Sequence, residues 1–147
     1  MGTFLLSRQI RLPRPIEVVF PFFADARNLE ELTPPWLRFK VLTPPPIEMR
    51  VGLRIDYRIR VRCIPMRWQS EITAWEPPHR FVDEQRRGPY RMWIHEHTFE
   101  SCDGGTLVGE RVQYAVTGGR LVQKLFVGPD LERIFNYRHH QLLKRFG

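Results

Sequence analysis

His95 and His97 stand two residues apart in a stretch that reads as a β-strand. Alternate residues of a strand share a face, so both imidazoles project the same way. Trp93 and Phe99 lie on that face of Tyr90–Glu100. The matching face of Thr106–Val116 carries Val108, Glu110, Val112 and Tyr114, and that of Phe81–Arg87 carries Phe81, Asp83 and Gln85. Large apolar residues mark this as the buried side, yet two imidazoles, two carboxylates and an amide share it. Unpartnered buried polar groups are costly. Three chemistries use such a set. A His–carboxylate pair can act as general acid and base, with His95, His97, Asp83 and Glu110 as the catalytic candidates. An H-x-H beside a carboxylate matches the ligand types of a metal centre. A few polar groups among aromatics can orient a mostly apolar ligand in a cavity. The third is the preferred reading, with the polar groups forming a hydrogen-bonded network and not a metal site. No nucleophile with its base and orienting group is visible, and no motif calls for a cofactor.

The elements that must position these residues follow from periodicity. Phe4–Leu12 alternates as a strand. Pro15 suits the first turn of a helix. Ile16, Val19, Phe20 and Phe23 then make an amphipathic stripe, which Pro21 is expected to kink. Asn28–Leu32 reads as a short helix stopped by Thr33-Pro34-Pro35, and Trp36–Leu42 as a strand. Leu53–Val61 alternates without a fault, Met66–Trp75 follows, and Glu76–His79 makes a turn into the three strands above. Leu121–Phe146 closes the chain as a helix, with a break or kink expected at Gly128-Pro129. The order is β-α-α-β-β-β-β-β-β-α. Six consecutive antiparallel strands curl strongly. The stripe Leu131, Ile134, Phe135, Leu142 and Phe146 suits the last helix to the concavity.

Pairing fixes the register. A four-residue turn at Cys102–Gly105 sets Trp93 opposite Tyr114, His95 opposite Val112, His97 opposite Glu110 and Phe99 opposite Val108. On the outer face it sets Glu96 against Arg111, an opposite-charge pair. A slip of one residue spoils both faces. The turn at Glu76–His79 sets Ala74, Ile72 and Ser70 opposite Phe81, Asp83 and Gln85. Arg138 falls seven residues after Leu131 on the same helix face. It either pairs with Asp83 or Glu110, as a buried guanidinium must, or snorkels to the surface. The loops Arg62–Pro65, Arg86–Pro89 and Thr117–Arg120 fall at one end, gathering Arg60, Arg62, Arg86, Arg87, Arg91 and Arg120 at the expected cavity mouth. Cys63 and Cys102 fall at opposite ends of the sheet, too far apart for a disulfide.

Composition narrows the class. The 147 residues are read as one domain with an ordinary globular balance, 42% hydrophobic and 27% charged. The longest apolar run is far too short to span a bilayer. Met1–Arg11 lacks the features of a signal peptide, and the expected location is the cytoplasm. The net charge of +7 is scattered along strands, without a basic block or nucleic-acid-binding motif, so no nucleic-acid partner is expected.

Several segments also carry a family likeness: Trp36-Leu37-Arg38-Phe39, Ile64-Pro65-Met66-Arg67-Trp68, Trp75-Glu76-Pro77-Pro78, Phe81-Val82-Asp83-Glu84-Gln85, Gly88-Pro89-Tyr90, Trp93 through Phe99, and Leu131 through Arg138. With the order of elements, they make the chain resemble the START-like, helix-grip (SRPBCC) superfamily, which includes the birch pollen allergen and polyketide cyclase-like proteins. It is most similar to a bacterial ligand-binding group within it, sometimes labelled cell-division-inhibitor-like. The resemblance implies an α+β fold, a curved antiparallel sheet wrapped around a long C-terminal helix. Such folds host carriers, receptors, cyclases, hydrolases and chaperone activators, so function is argued from the site.

The expected function is binding of a small hydrophobic or amphipathic ligand, with an anionic head admissible, in a cavity of roughly 300–1,000 Å³ between sheet and helix. Its expected contacts are Tyr57, Trp68, Asp83, Gln85, Trp93, His95, His97, Glu110, Tyr114, Phe135 and Arg138. The alternative is an enzyme of cyclase, dehydratase or hydrolase type, using the same imidazoles and carboxylates.

Overall fold

The computed structural model describes residues 2–147; Met1, the first residue of the segment read as lacking a signal peptide, lies outside them. The strands are β1 (Phe4–Leu12), β2 (Lys40–Val41), β3 (Arg54–Val61), β4 (Ile64–Glu76), β5 (Arg80–Arg87), β6 (Met92–Cys102) and β7 (Gly105–Ala115). They form one curved antiparallel sheet in the order β1-β7-β6-β5-β4-β3-β2. Two helices, α1 (Ile16–Ala24) and α2 (Leu29–Leu32), follow β1. The chain ends in a long helix made of α3 (Gly119–Val122), a wider π-helical turn (Gln123–Val127) and α4 (Gly128–Phe146). This is the helix-grip arrangement. Among the described residues no helix is long and apolar enough to cross a membrane.

The β6–β7 register matches the expectation pair for pair: Trp93↔Tyr114, His95↔Val112, Glu96↔Arg111, His97↔Glu110 and Phe99↔Val108. The hairpin turns on Asp103-Gly104, both at positive φ, the geometry that matches the twist of the flanking strands. Between β4 and β5, Ser70 meets Gln85 and Ile72 meets Asp83 as expected. A bulge then intervenes, so Ala74 faces Val82, and Phe81 faces Trp75 instead of Ala74. The extra residue lies in β4, and the consecutive β5 residues Phe81 and Val82 are both buried.

Two expectations need correction. Trp36–Leu42 is not one strand. Pro35–Leu37 forms a 3₁₀ turn, Arg38 adopts a left-handed conformation (φ 50°, ψ 41°), and only Lys40–Val41 pairs with β3. Proline pre-sets the first position of such a turn and has no N–H for a ladder. Nor does the last helix break at Gly128-Pro129, because Val127 and Gly128 keep helical backbone angles. The widened turn just before Pro129 lets the helix pass a residue that has no N–H and crowds the preceding turn. Gly128 fits because a Cβ there would sit 3.0 Å from the Gln123 carbonyl oxygen.

Among the described residues the buried side chains form three groups, two of which flank the polar residues of the inner face. Near α1, the side chains of Phe20, Phe22, Phe23, Phe81, Phe99, Val108, Leu142 and Phe146 pack together. Toward the other end, Trp93, Val112, Tyr114, Val116, Leu131 and Phe135 form a second group. The polar residues of the inner face lie between the two.

Candidate functional site

Four elements contribute to this polar band. β5 supplies Asp83, β6 supplies His95 and His97, β7 supplies Glu110, and α4 supplies Arg138. Strand alternation places the first four on the concave face, and the helix stripe Leu131, Phe135, Arg138, Leu142 lays the guanidinium over them. His97 shares a 2.8 Å hydrogen bond between its Nε2 and Asp83 Oδ2. Its ring stacks on His95 at 3.8 Å and on Phe81 at 4.1 Å. Arg138 Nε donates to Glu110 Oε2 at 2.9 Å. Glu110 Oε1 is the crowded atom: Arg138 Nη2 lies 2.6 Å away, His95 Nε2 3.3 Å and His97 Nδ1 3.6 Å. None of these three approaches is a directed hydrogen bond, the His97 one being too long, so they are contacts of charge and dipole, and the directed bond is the one from Nε.

Burial and neighbours set the charge states. Burial alone would raise the proton affinity of Glu110, but the Arg138 charge, with His95 and His97 beside it, holds the carboxyl well below its usual range. Burial likewise opposes ionisation of Asp83, and the His97 hydrogen bond together with the charges of His95, His97 and Arg138 outweighs it, leaving the group lowered. Burial, with His95 next to it, pushes His97 down to about 4 despite the opposing pull of Asp83. Burial and the charges of Asp83 and Asp56 push the Tyr57 phenol up, so it stays protonated. The band is therefore a neutral imidazole between two anions, one of which is balanced by a guanidinium.

Beside this band the concavity is open. A cavity of about 1170 Å³ lies between the inner face of the sheet and the long helix. Its wall includes Tyr57, Trp68, Ser70, Asp83, Trp93, His95, His97, Leu131, Ile134, Phe135 and Arg138. Trp68 and Trp93 meet edge to face at 5.2 Å, and the Trp68 indole N–H donates to the Ser70 hydroxyl at 3.0 Å. Toward the mouth the wall passes to Arg60, Arg62, Cys63, Pro89, Thr117, Phe126 and Asp130. There Asp130 receives Arg62 at 3.1 Å, and the guanidinium lies 5.1 Å over the Phe126 ring. A separate groove of about 650 Å³ between α1 and Pro45–Ile47 touches none of the polar band.

A family model described as "Polyketide cyclase / dehydrase and lipid transport" matches residues 12–142. The chain belongs to this family. A search of curated proteins finds no match by sequence. Among solved structures, protein CV1439 from Chromobacterium violaceum is similar over 99% of this chain and 98% of its own, with 17% identity and a TM-score of 0.74. Protein Ms6760 from Mycobacterium smegmatis is similar over 94% and 87%, with 20% identity and a TM-score of 0.68. Ginseng major latex-like protein 151 from Panax ginseng is similar over 98% and 97%, with 12% identity and a TM-score of 0.70. At these identities the likeness is one of fold.

In this chain, eight of the eleven expected contacts border the cavity: Tyr57, Trp68, Asp83, Trp93, His95, His97, Phe135 and Arg138. Three do not. Glu110 lies beneath the imidazoles, where it serves Arg138. Gln85 is engaged by the β5–β6 loop, donating to the Tyr90 carbonyl at 2.7 Å and accepting the Tyr90 N–H at 3.1 Å. The Tyr114 hydroxyl accepts from Gln123 Nε2 at 3.2 Å. The cationic mouth is also narrower than expected. Arg60 and Arg62 border it, Arg87, Arg91 and Arg120 do not, and Arg86 pairs with Glu71 at 3.2 Å. Sequence reasoning missed Trp36, Arg38, Phe39 and Asp130 as wall residues; the Pro34-Pro35 pair ahead of Trp36 was the available sign that a turn brings that segment over the opening. Cys63 and Cys102 are free thiols, in the β3–β4 turn and at the end of β6. Asp83, His95 and His97 place one ligand atom each within 4.8 Å of one another, so among the described residues they are a set that could hold a metal ion. The 2.8 Å contact between Asp83 and His97 satisfies two of those three groups by themselves.

Proposed function

We propose that this chain is a single binding domain, residues 1–147, that takes up a small hydrophobic or amphipathic molecule between the sheet and the long helix. The observation that carries the reading is the cavity of about 1170 Å³, walled by aromatic and aliphatic side chains with a few polar groups at its inner end. That combination is the usual design of a small-molecule site. The family description, which includes lipid transport, supports the same class of cargo. Apolar burial contributes about 25 cal/mol per Å² and a net hydrogen bond about 0.5–1.5 kcal/mol. The aromatics therefore supply affinity, and the polar band sets orientation.

One observation favours a second reading as an acid–base enzyme of cyclase or dehydratase type. The Asp83–His97 pair, at 2.8 Å, is on the cavity wall, where it can exchange a proton with a bound molecule. Native mass spectrometry of the freshly purified protein tests the binding reading. A co-purified molecule below about 1 kDa that leaves on unfolding is the expected result; Trp93→Ala should lose it, and His97→Gln should retain most of it. Release of a chemically altered molecule over time would favour the enzyme.

A further inference from the structure

Asp83 is the odd member of the polar band. Its Oδ2 accepts from His97. Its Oδ1 has no hydrogen-bond partner among the described residues, and the side chain borders the cavity. The side chain keeps 20% of its surface accessible, although its cross-strand neighbours Ile72 and His95 are both buried. That surface belongs to the cavity wall. The wall holds one other carboxylate, Asp130 at the mouth, and it is matched by Arg62 and Arg133. Arg138 is matched by Glu110. Asp83 alone faces the lumen without a guanidinium in contact.

Resting on the cavity reading above, we propose that the ligand is a neutral molecule with an apolar body and a hydroxyl or phenol at its buried end, the O–H donating to Asp83 Oδ1. An apolar ligand entering the cavity displaces water from this carboxylate. A carboxylate stripped of water is strongly penalised unless a donor replaces the water. A carboxylate or phosphate head has no proton to give at neutral pH and brings like charge to Asp83, so a head of that kind belongs at the mouth beside Arg60 and Arg62. An ammonium head could donate, but the arginines at the entrance repel it. A neutral hydroxyl meets neither objection. Sites built to hydrogen-bond a ligand hydroxyl discriminate strongly against the analogue that lacks it.

The test compares 1-hydroxypyrene with 1-methoxypyrene, which share the apolar body and differ in the donor, by quenching of tryptophan fluorescence at pH 7. The wild-type protein should bind 1-hydroxypyrene at least tenfold more tightly. Asp83→Asn, which keeps shape but exchanges a charged acceptor for a neutral one, should weaken 1-hydroxypyrene about tenfold and leave 1-methoxypyrene within twofold. Equal affinity for the two probes in the wild-type protein would overturn the hydroxyl assignment and leave the binding function standing. Tighter binding of 1-pyrenemethylammonium than of 1-hydroxypyrene would overturn the choice of a neutral head. Binding of none of the three would overturn the cavity reading and this inference with it.

Discussion

The two ends of the layer between sheet and helix are built from similar residues and do different things. At one end Phe20, Phe23, Phe81 and Phe99 meet ring against ring at 5.0–6.2 Å, and Phe22 meets Phe146 at 5.3 Å. At the other, Trp68, Tyr90 and Trp93 are equally close to one another, at 4.7–5.6 Å, but they border an opening of about 1170 Å³. The difference lies in what stands between sheet and helix. α1 brings five buried side chains to the packed end, and of these only Phe23 reaches the cavity wall among the described residues. One helix with a narrow apolar stripe cannot fill the concavity of a seven-stranded sheet by itself, so the end without α1 stays open. The band of Asp83, His97, Glu110 and Arg138 marks the boundary.

The contrast can be broken most directly at Phe99. Phe99→Ala at the packed end should lower stability by about 3–5 kcal/mol in urea titration. Trp68→Ala, whose indole borders the opening, should cost clearly less although the side chain is larger. Equal losses would show that the two ends are packed alike. Next comes the boundary. Arg138→Met leaves Glu110 buried without its guanidinium and should cost about 3 kcal/mol or more, while the double variant with Glu110→Leu should recover part of that loss. A double variant no better than the single would show that the pair is not coupled. The third effect is on pH. His97 binds a proton at about 4 in the fold against about 6.5 when unfolded, so between those values the unfolded chain holds more protons. Stability is then full above pH 6.5 and falls by roughly 3 kcal/mol as the pH drops to 4. Asp83 and Glu110, both lowered, take more away at still lower pH. A thermal midpoint unchanged between pH 7.5 and 5 in the wild-type protein would contradict a neutral, buried His97.

Much of this was legible in the sequence, for identifiable reasons. The β6–β7 register follows from the Glu96–Arg111 pair and a turn that favours glycine, which between them leave one pairing that suits both faces. Helix period turns Arg138 toward the sheet and strand alternation offers it Asp83 or Glu110, with snorkelling as the alternative; the structure pairs it with Glu110. The period of two tells which face a side chain takes, but not whether it borders a void or lies under a neighbour. That is why Glu110 and Tyr114 were placed on the correct face and at the wrong depth. The bulge between Ile72 and Ala74 adds a residue to β4 that no turn or glycine signal in the sequence marks. Near Gly128-Pro129 the sequence marks an irregularity in the helix but not its kind, because the proline can be met by a break, a kink or the wide turn that precedes it.

β1 pairs with β7, so that Phe4 sits opposite Tyr114, while the other strand pairs join neighbours in the chain. The segments from β3 to β7 can therefore assemble as successive hairpins, each closing a short loop. β1 is made first and must wait for the last strand before it has a ladder to join. Contacts of such long sequence separation form slowly because loop closure must precede them. During synthesis the growing sheet thus keeps an open edge on the β6 side until β7 is made, and the nine-residue β1 is the piece that finally seals it.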